Sequence, residues 1–162
     1  MTTKEDVSES LMLSVQRAEK MAAGLSEADL ARQVYDDGWT VKDVFAHLAS
    51  MGMSPAFFIS MAQRAGEGGG GGGMGAGFDV NAFNRQQVET RKDKSVFELV
   101  AEFRQGHEKG VELIGATPDE VLTKKVPDPF AGGMSTALEM IQGSCGDHEA
   151  QHLMDVARVL RA

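Results

Sequence analysis

Residues 147–160 read DHEAQHLMDVARVL, and the phase of this stretch decides what kind of fold the chain can build. No glycine or proline interrupts it, so it reads as one amphipathic helix running to the last residues. At 3.6 residues per turn, His148 and His152 stand about 40° apart on one face. Ile141, Cys145, Val156 and Val159 share that face, which predicts that it turns inward; Ala150, Met154, Arg158 and Arg161 lie opposite and suit water. Two imidazoles on a buried stripe are costly unless their ring nitrogens find partners. Backbone carbonyls satisfy most lone core histidines, whereas a divalent ion would satisfy an i, i+4 pair together. Spacing alone leaves both solutions open.

The string HEAQH, His148–His152, also fits H-E-x-x-H, the zinc-peptidase signature. Those enzymes draw a third ligand from downstream, either a histidine after a glycine or a glutamate on a later helix. Here Asp155 and Arg158 occupy the places of that glycine and histidine, and no glutamate follows His152. The peptidase reading is therefore set aside, and a third ligand has to come from upstream. His47 is the best candidate, because Val44, Leu48 and Met51 place it on an apolar helical stripe. His107 sits among Arg104, Glu108 and Lys109 and is expected to be a solvated surface histidine.

Outward from these positions the chain reads as helices. TKEDVSESLMLSVQRAEKMAAG repeats apolar residues at three and four and stops at Gly24. GWTVKDVFAHLASM opens on Thr40 as N-cap with Asp43 three residues on, and Pro55 then kinks this helix or starts a fresh one. A third pattern starts at Asp79 and resumes behind the capping box Ser95/Glu98, as a broken pair or one irregular helix. TPDEVLTKKVPDPFAGGM reads as a long loop with one helical turn and, at most, a short strand, and Ser135 is the expected cap of the last helix. Between the second and third patterns lies GEGGGGGGMGAG, Gly66–Gly77. It lacks the Lys-Ser/Thr ending of a P-loop and is expected to be a loop or a lid.

The pattern predicts an all-α fold, a four-helix bundle with long crossover connections, in one domain over residues 1–162. Sixteen basic against 24 acidic residues give a net charge of −8, and no basic cluster stands out, so no nucleic-acid partner is expected. No 18-residue apolar run and no signal-peptide pattern are seen, so no membrane partner is expected and the protein is expected to be cytoplasmic. The single cysteine, Cys145, excludes an intramolecular disulfide. Ten methionines suit an adaptable core and pocket lining.

Three segments together resemble one family. GWTVKDVFAHLASM resembles the region of DinB-like (YfiT-like) proteins where a Trp, a polar cap and a short helix precede a ligand histidine. DHEAQHLMDVARVL resembles the closing helix that supplies the other two ligands, and FDVNAFNRQQV resembles the start of the third helix. The resemblance covers nearly the whole chain, in order and spacing. It implies an up-down-down-up bundle, often a homodimer, holding a divalent ion, zinc or nickel, on His47, His148 and His152. Three imidazoles with an open position are the layout of a catalytic zinc site. Imidazole also suits copper and iron.

The resemblance extends to mycothiol-dependent maleylpyruvate isomerase, whose middle ligand is a glutamate where this chain has His148, and to bacillithiol S-transferases. It implies a thiol S-transferase or related detoxifying enzyme, with a low-molecular-weight thiol and a small-molecule electrophile as partners. Two other readings stand beside it: a non-catalytic dimeric metal-binding or stress-response protein, and a metal-free hydrolase of the same fold. Cys145, one turn before His148, would be the fourth ligand of a closed structural site, or else a small buried hydrophobe. Asp43 and Asp155 are placed to orient ligand histidines through the second ring nitrogen. Glu149 is the candidate general base, although its direction, about 100° from His148, also allows a helix interface.

Overall fold

The computed structural model of the chain describes residues 1–66 and 77–162. The expected loop or lid at Gly66–Gly77 falls almost wholly on residues 67–76, which lie outside the described residues. The helices are α1 (Lys4–Ala22), α2 (Glu27–Leu30), α3 (Val41–Met51), α4 (Ser54–Gly66), α5 (Val80–Glu89), α6 (Val96–Ala116), α7 (Asp119–Leu122), α8 (Ala137–Ile141) and α9 (His148–Arg161). A π-helical turn, Gln142–Asp147, joins α8 to α9, and two-residue strands β1 (Val126–Pro127) and β2 (Met134–Ser135) pair antiparallel in the long loop. The bundle consists of α1, the α3–α4 pair, α6 and the composite α8–α9 helix, with α5 packed on α3.

Helix starts are written in side-chain chemistry. Thr40 and Ser95 each accept a backbone N–H from the acidic residue three positions on, Asp43 and Glu98, which accepts the cap's own N–H in return. Thr3 with Asp6 and Ser26 with Asp29 do the same for α1 and α2. The last long helix departs from expectation by one residue: Thr136, not Ser135, is the cap, because only Thr136 has Glu139 at the box spacing. Asp79 caps α5 as expected.

Glycine lets the helices meet. A Cβ on Gly106 would stand 2.5 Å from the Cα of Gly52, and one on Gly110 would stand 2.8 Å from the Cγ of Pro55. The junction between α3 and α4 thus lies in a groove on α6 that any side chain would fill. The helical stretch Val41–Ala65 is long and apolar enough to cross a membrane by length and composition. That corrects the expectation that no such segment exists; with 61% of its most apolar window buried, it is the core helix of this bundle.

The core has two apolar clusters. Val15, Ala18, Val44, Leu48, Leu99, Phe103, Leu153 and Val156 belong to one, and Val7, Leu11, Phe58, Ile114, Ile141 and Cys145 to the other. Between them in chain order, four helices contribute a buried polar residue: Ser14 from α1, Ser50 from α3, His107 from α6 and Glu149 from α9. His107 Nε2 lies 2.9 Å from Glu149 Oε2, and both side chains are fully buried. His107 is therefore not the surface residue expected; its charged sequence neighbours occupy other faces of α6.

The π turn sets the phase of α9. One extra residue per turn moves the inward stripe from the expected Cys145–His148–His152 line to Cys145, Glu149, Leu153 and Val156. His148 and His152 are rotated to the flank of the core, His148 exposed and His152 half-buried. Their predicted place on the buried stripe is corrected accordingly.

Candidate metal centre

His47 comes from the middle of α3, and His148 and His152 from the first two turns of α9. One ring nitrogen from each lies within 4.8 Å of the others. The Nε2 atoms of His148 and His152 are 3.0 Å apart, close to the about 3.3 Å separating two nitrogens on a tetrahedral zinc ion. The His47 ring meets that of His152 with centroids 4.9 Å apart, and its buried Nδ1 has no hydrogen-bond partner among the described residues.

Burial of the ring atoms favours the neutral form of all three imidazoles. Burial holds the His47 pKa down to about 3, with the neighbouring His152 and His148 rings acting in the same direction. Burial and His148 lower His152 to about 4, against the pull of Asp155, and burial also lowers His148. Neutral imidazole is the form that binds metal, so protons do not compete for the site at neutral pH. Three imidazole nitrogens converging within 4.8 Å of one another, in surroundings that favour the neutral ring, fit a divalent ion.

A loop before α3 completes the surroundings. Gly38, at φ +99, donates its N–H to the Tyr35 carbonyl at 3.0 Å and closes a turn over Tyr35–Gly38. Val34 N–H bonds the Trp39 carbonyl and Val41 N–H the Arg32 carbonyl, which fixes Tyr35 and Trp39 beside the imidazoles. The Tyr35 hydroxyl donates to Asp155 Oδ2 at 2.9 Å and lies 2.6 Å from His152 Nδ1. Its only proton being committed to Asp155, it accepts the His152 Nδ1–H, which leaves the Nε2 lone pair toward the other two histidines. Burial and Asp155 push the tyrosine pKa up, so the hydroxyl keeps its proton. The ring of Trp39 lies 5.3 Å from that of His47.

Asp155 thus reaches His152 through Tyr35, while its Oδ1 holds Gln151 and Arg158. Asp43 is spent differently: its Oδ2 accepts the backbone N–H and hydroxyl of Thr40, both at 2.8 Å, and it makes no bond to His47. Its expected role as an orienting partner gives way to helix capping. Glu149 points away from the three rings, to His107. Burial pushes its carboxyl up, to about 7, against the hydrogen bond from His107. Cys145 lies fully buried in the apolar cluster of Ile141 and Leu138, outside the group of possible ligands, and burial pushes its thiol pKa up. Tyr35 went unnoticed in the sequence, where one tyrosine in a short polar loop carries no periodic signal.

The three histidines open on a pocket of about 400 Å³ lined also by Tyr35, Asp37, Trp39, Asn81, Asn84 and Arg85. The last three come from α5, so the pocket is walled by α3, α5, α9 and the Tyr35–Gly38 turn.

Comparison with known proteins places this geometry in a family. Residues 11–157 match the mycothiol maleylpyruvate isomerase N-terminal domain, and the chain belongs to that family, within the DinB/YfiT-like superfamily. No curated protein sequence matches significantly. Among solved structures it is similar to YfiT from Bacillus subtilis, described as a probable metal-dependent hydrolase with an unusual four-helix bundle topology (TM-score 0.75, 18% identity, 98% of this chain and 86% of that one). An uncharacterized protein from Clostridium difficile 630 is similar at TM-score 0.75 and 12% identity over 99% of this chain and 97% of that one. The colibactin self-resistance protein ClbS, solved in complex with double-stranded DNA, matches at TM-score 0.73 and 14% identity over 100% and 98%. A structure of this fold thus occurs with DNA, which overturns the exclusion of nucleic acid drawn from the net charge of −8. A net charge reports on the whole chain and not on one face.

Proposed function

The chain being a member of a family named for a mycothiol-dependent isomerase, we propose that it is a divalent-metal-dependent enzyme joining a low-molecular-weight thiol to a small electrophile. The observation that carries this reading is the set of three convergent imidazoles at a pocket wide enough for such a ligand, with no fourth protein ligand among the described residues.

His47, His148 and His152 are the residues that would hold the ion. When bound, a divalent ion supplies Lewis acidity and favours the deprotonated form of a thiol or of water. Tyr35 holds His152 in the tautomer that turns Nε2 inward, and Asp155 anchors Tyr35. Trp39 supplies an apolar wall against which a ligand is shielded from water. Glu149 has no part as a base in this reading, because its carboxylate is sealed in the core with His107.

Protein purified without a nickel column, analysed for metal, would be assayed with a panel of thiols and a chromogenic haloarene, and with esters in the absence of thiol. Thioether formation that disappears in His47→Ala and with chelator supports the transferase. Water-dependent ester turnover with the same sensitivity would move the reading to a hydrolase, as the likeness to YfiT suggests. Turnover undiminished by chelator and by His47→Ala/His152→Ala would sink the metal-dependent reading altogether.

A further inference from the structure

The wall of the pocket facing away from the core is made by one helix, α5, through Asn81, Asn84 and Arg85. The spacing i, i+3, i+4 puts them on one face of α5, while Val88, a turn beyond Asn84 and Arg85, is its buried anchor. Arg85 is the only cationic side chain lining the pocket among the described residues. Eight other Lys and Arg side chains are paired with carboxylates, and Arg85 has none within ion-pair distance among the described residues. Among the described residues neither asparagine amide is committed: the hydrogen bond made by Asn81 uses its backbone N–H. The one carboxylate lining the pocket among the described residues, Asp37, is partly engaged, accepting the Trp39 backbone N–H at 3.2 Å.

We propose that the Asn81–Asn84–Arg85 face of α5 is the recognition subsite for a carboxylate on the ligand whose reacting group lies at the three histidines. The guanidinium presents paired N–H donors that match a carboxylate, and the two amides add further donors without charge. The pocket thereby has a reacting end on α3 and α9 and a gripping end on α5. This rests on the proposed function in treating the imidazoles as the reacting end. The carboxylate belongs either to the electrophile or to the thiol, and the choice of probe separates the two.

The chain has one tryptophan, Trp39, and it lines this pocket, so its fluorescence reads occupancy without any turnover. Succinate and its dimethyl ester, and glutathione and its diethyl ester, would be titrated into wild type, Arg85→Gln and Arg85→Lys, with chelator and again with zinc. Succinate or glutathione should bind the wild type, at least tenfold more weakly the Gln variant, and with intermediate strength the Lys variant. The esters should bind all three alike. A loss confined to succinate assigns the carboxylate to the electrophile, and one confined to glutathione assigns it to the thiol. Equal binding by wild type and Arg85→Gln, no preference for acid over ester, or no Trp39 response to any probe would overturn the subsite. Because the chelator arm needs no metal, the subsite is tested even where the metal-dependent reading fails.

Discussion

The hydroxyl of Tyr35 lies 2.6 Å from Nδ1 of His152 and 2.9 Å from Oδ2 of Asp155, so a loop residue joins a carboxylate to a candidate ligand. Interposing a hydroxyl settles the tautomer without placing a negative charge directly on the ring. Tyr35→Phe should leave the fold intact and weaken zinc binding about 10- to 100-fold, the usual effect of losing an outer partner. Competition against a chromophoric chelator measures this; unchanged affinity would show that Tyr35 does not set the ring.

The imidazoles make the metal-free protein sensitive to acid. His47 and His152 are held down to about 3 and 4 in the fold, so below their ordinary value near 6.5 the unfolded chain binds more protons. Their contribution is present above about pH 6.5 and is lost as pH falls toward the folded values, by up to about 1.4 kcal/mol per pH unit for each group. Glu149, raised to about 7, runs the other way: its share is present at low pH and is lost as pH rises through that value. Urea midpoints from pH 7 to 4.5 in chelator should therefore fall more steeply in Glu149→Gln and less steeply in His47→Gln and His152→Gln. Parallel slopes in all four proteins would contradict the assignment.

Close approach of Gly106 to Gly52 predicts a position-specific penalty on α6. Gly106→Ala should cost about 1–3 kcal/mol or more, because backbone stands where the methyl would go. Gly115→Ala, on the same helix with open space around it, should be neutral or stabilise by up to about 1 kcal/mol. Thermal unfolding of the two variants side by side separates the contact from helix propensity.

The buried pair His107–Glu149 makes a prediction about non-additivity. Replacing one member by leucine leaves the other polar group stranded between two apolar clusters and should cost about 3–5 kcal/mol. The double replacement should recover most of that loss. A double-mutant cycle in urea checks it, and additive losses would mean the pair is not coupled.

Helix ends were legible where a cap and an acid stand three residues apart, as at Thr40/Asp43 and Ser95/Glu98. At Ser135 the acid stands one residue too far, and the cap proved to be Thr136. Nomination of the three histidines needed only helical spacing and chain order. Flanking charges misled at His107, because sequence neighbours point around a helix while burial is decided by one face. Nor could the face of α9 be read, because the π turn leaves no pattern in the residues downstream of it. Tyr35 and the α5 wall depend on which loops and helices meet in space. A periodicity confined to one segment does not carry that information.

The surplus residue in Gln142–Asp147 gives this chain an unusual kind of tolerance. Six residues at the π pitch turn the chain about as far as five at the α pitch. Shortening the turn by one residue would therefore let ordinary α-helix close over the gap and leave Glu149 facing the core and His148 and His152 facing the pocket. An alignment would record only a gap of one position, the mark ordinarily left by drift in surface loops. Here a gap of that size inside the π turn would leave α9 facing as it does, whereas the same gap in regular helix would turn every side chain behind it by about 100°.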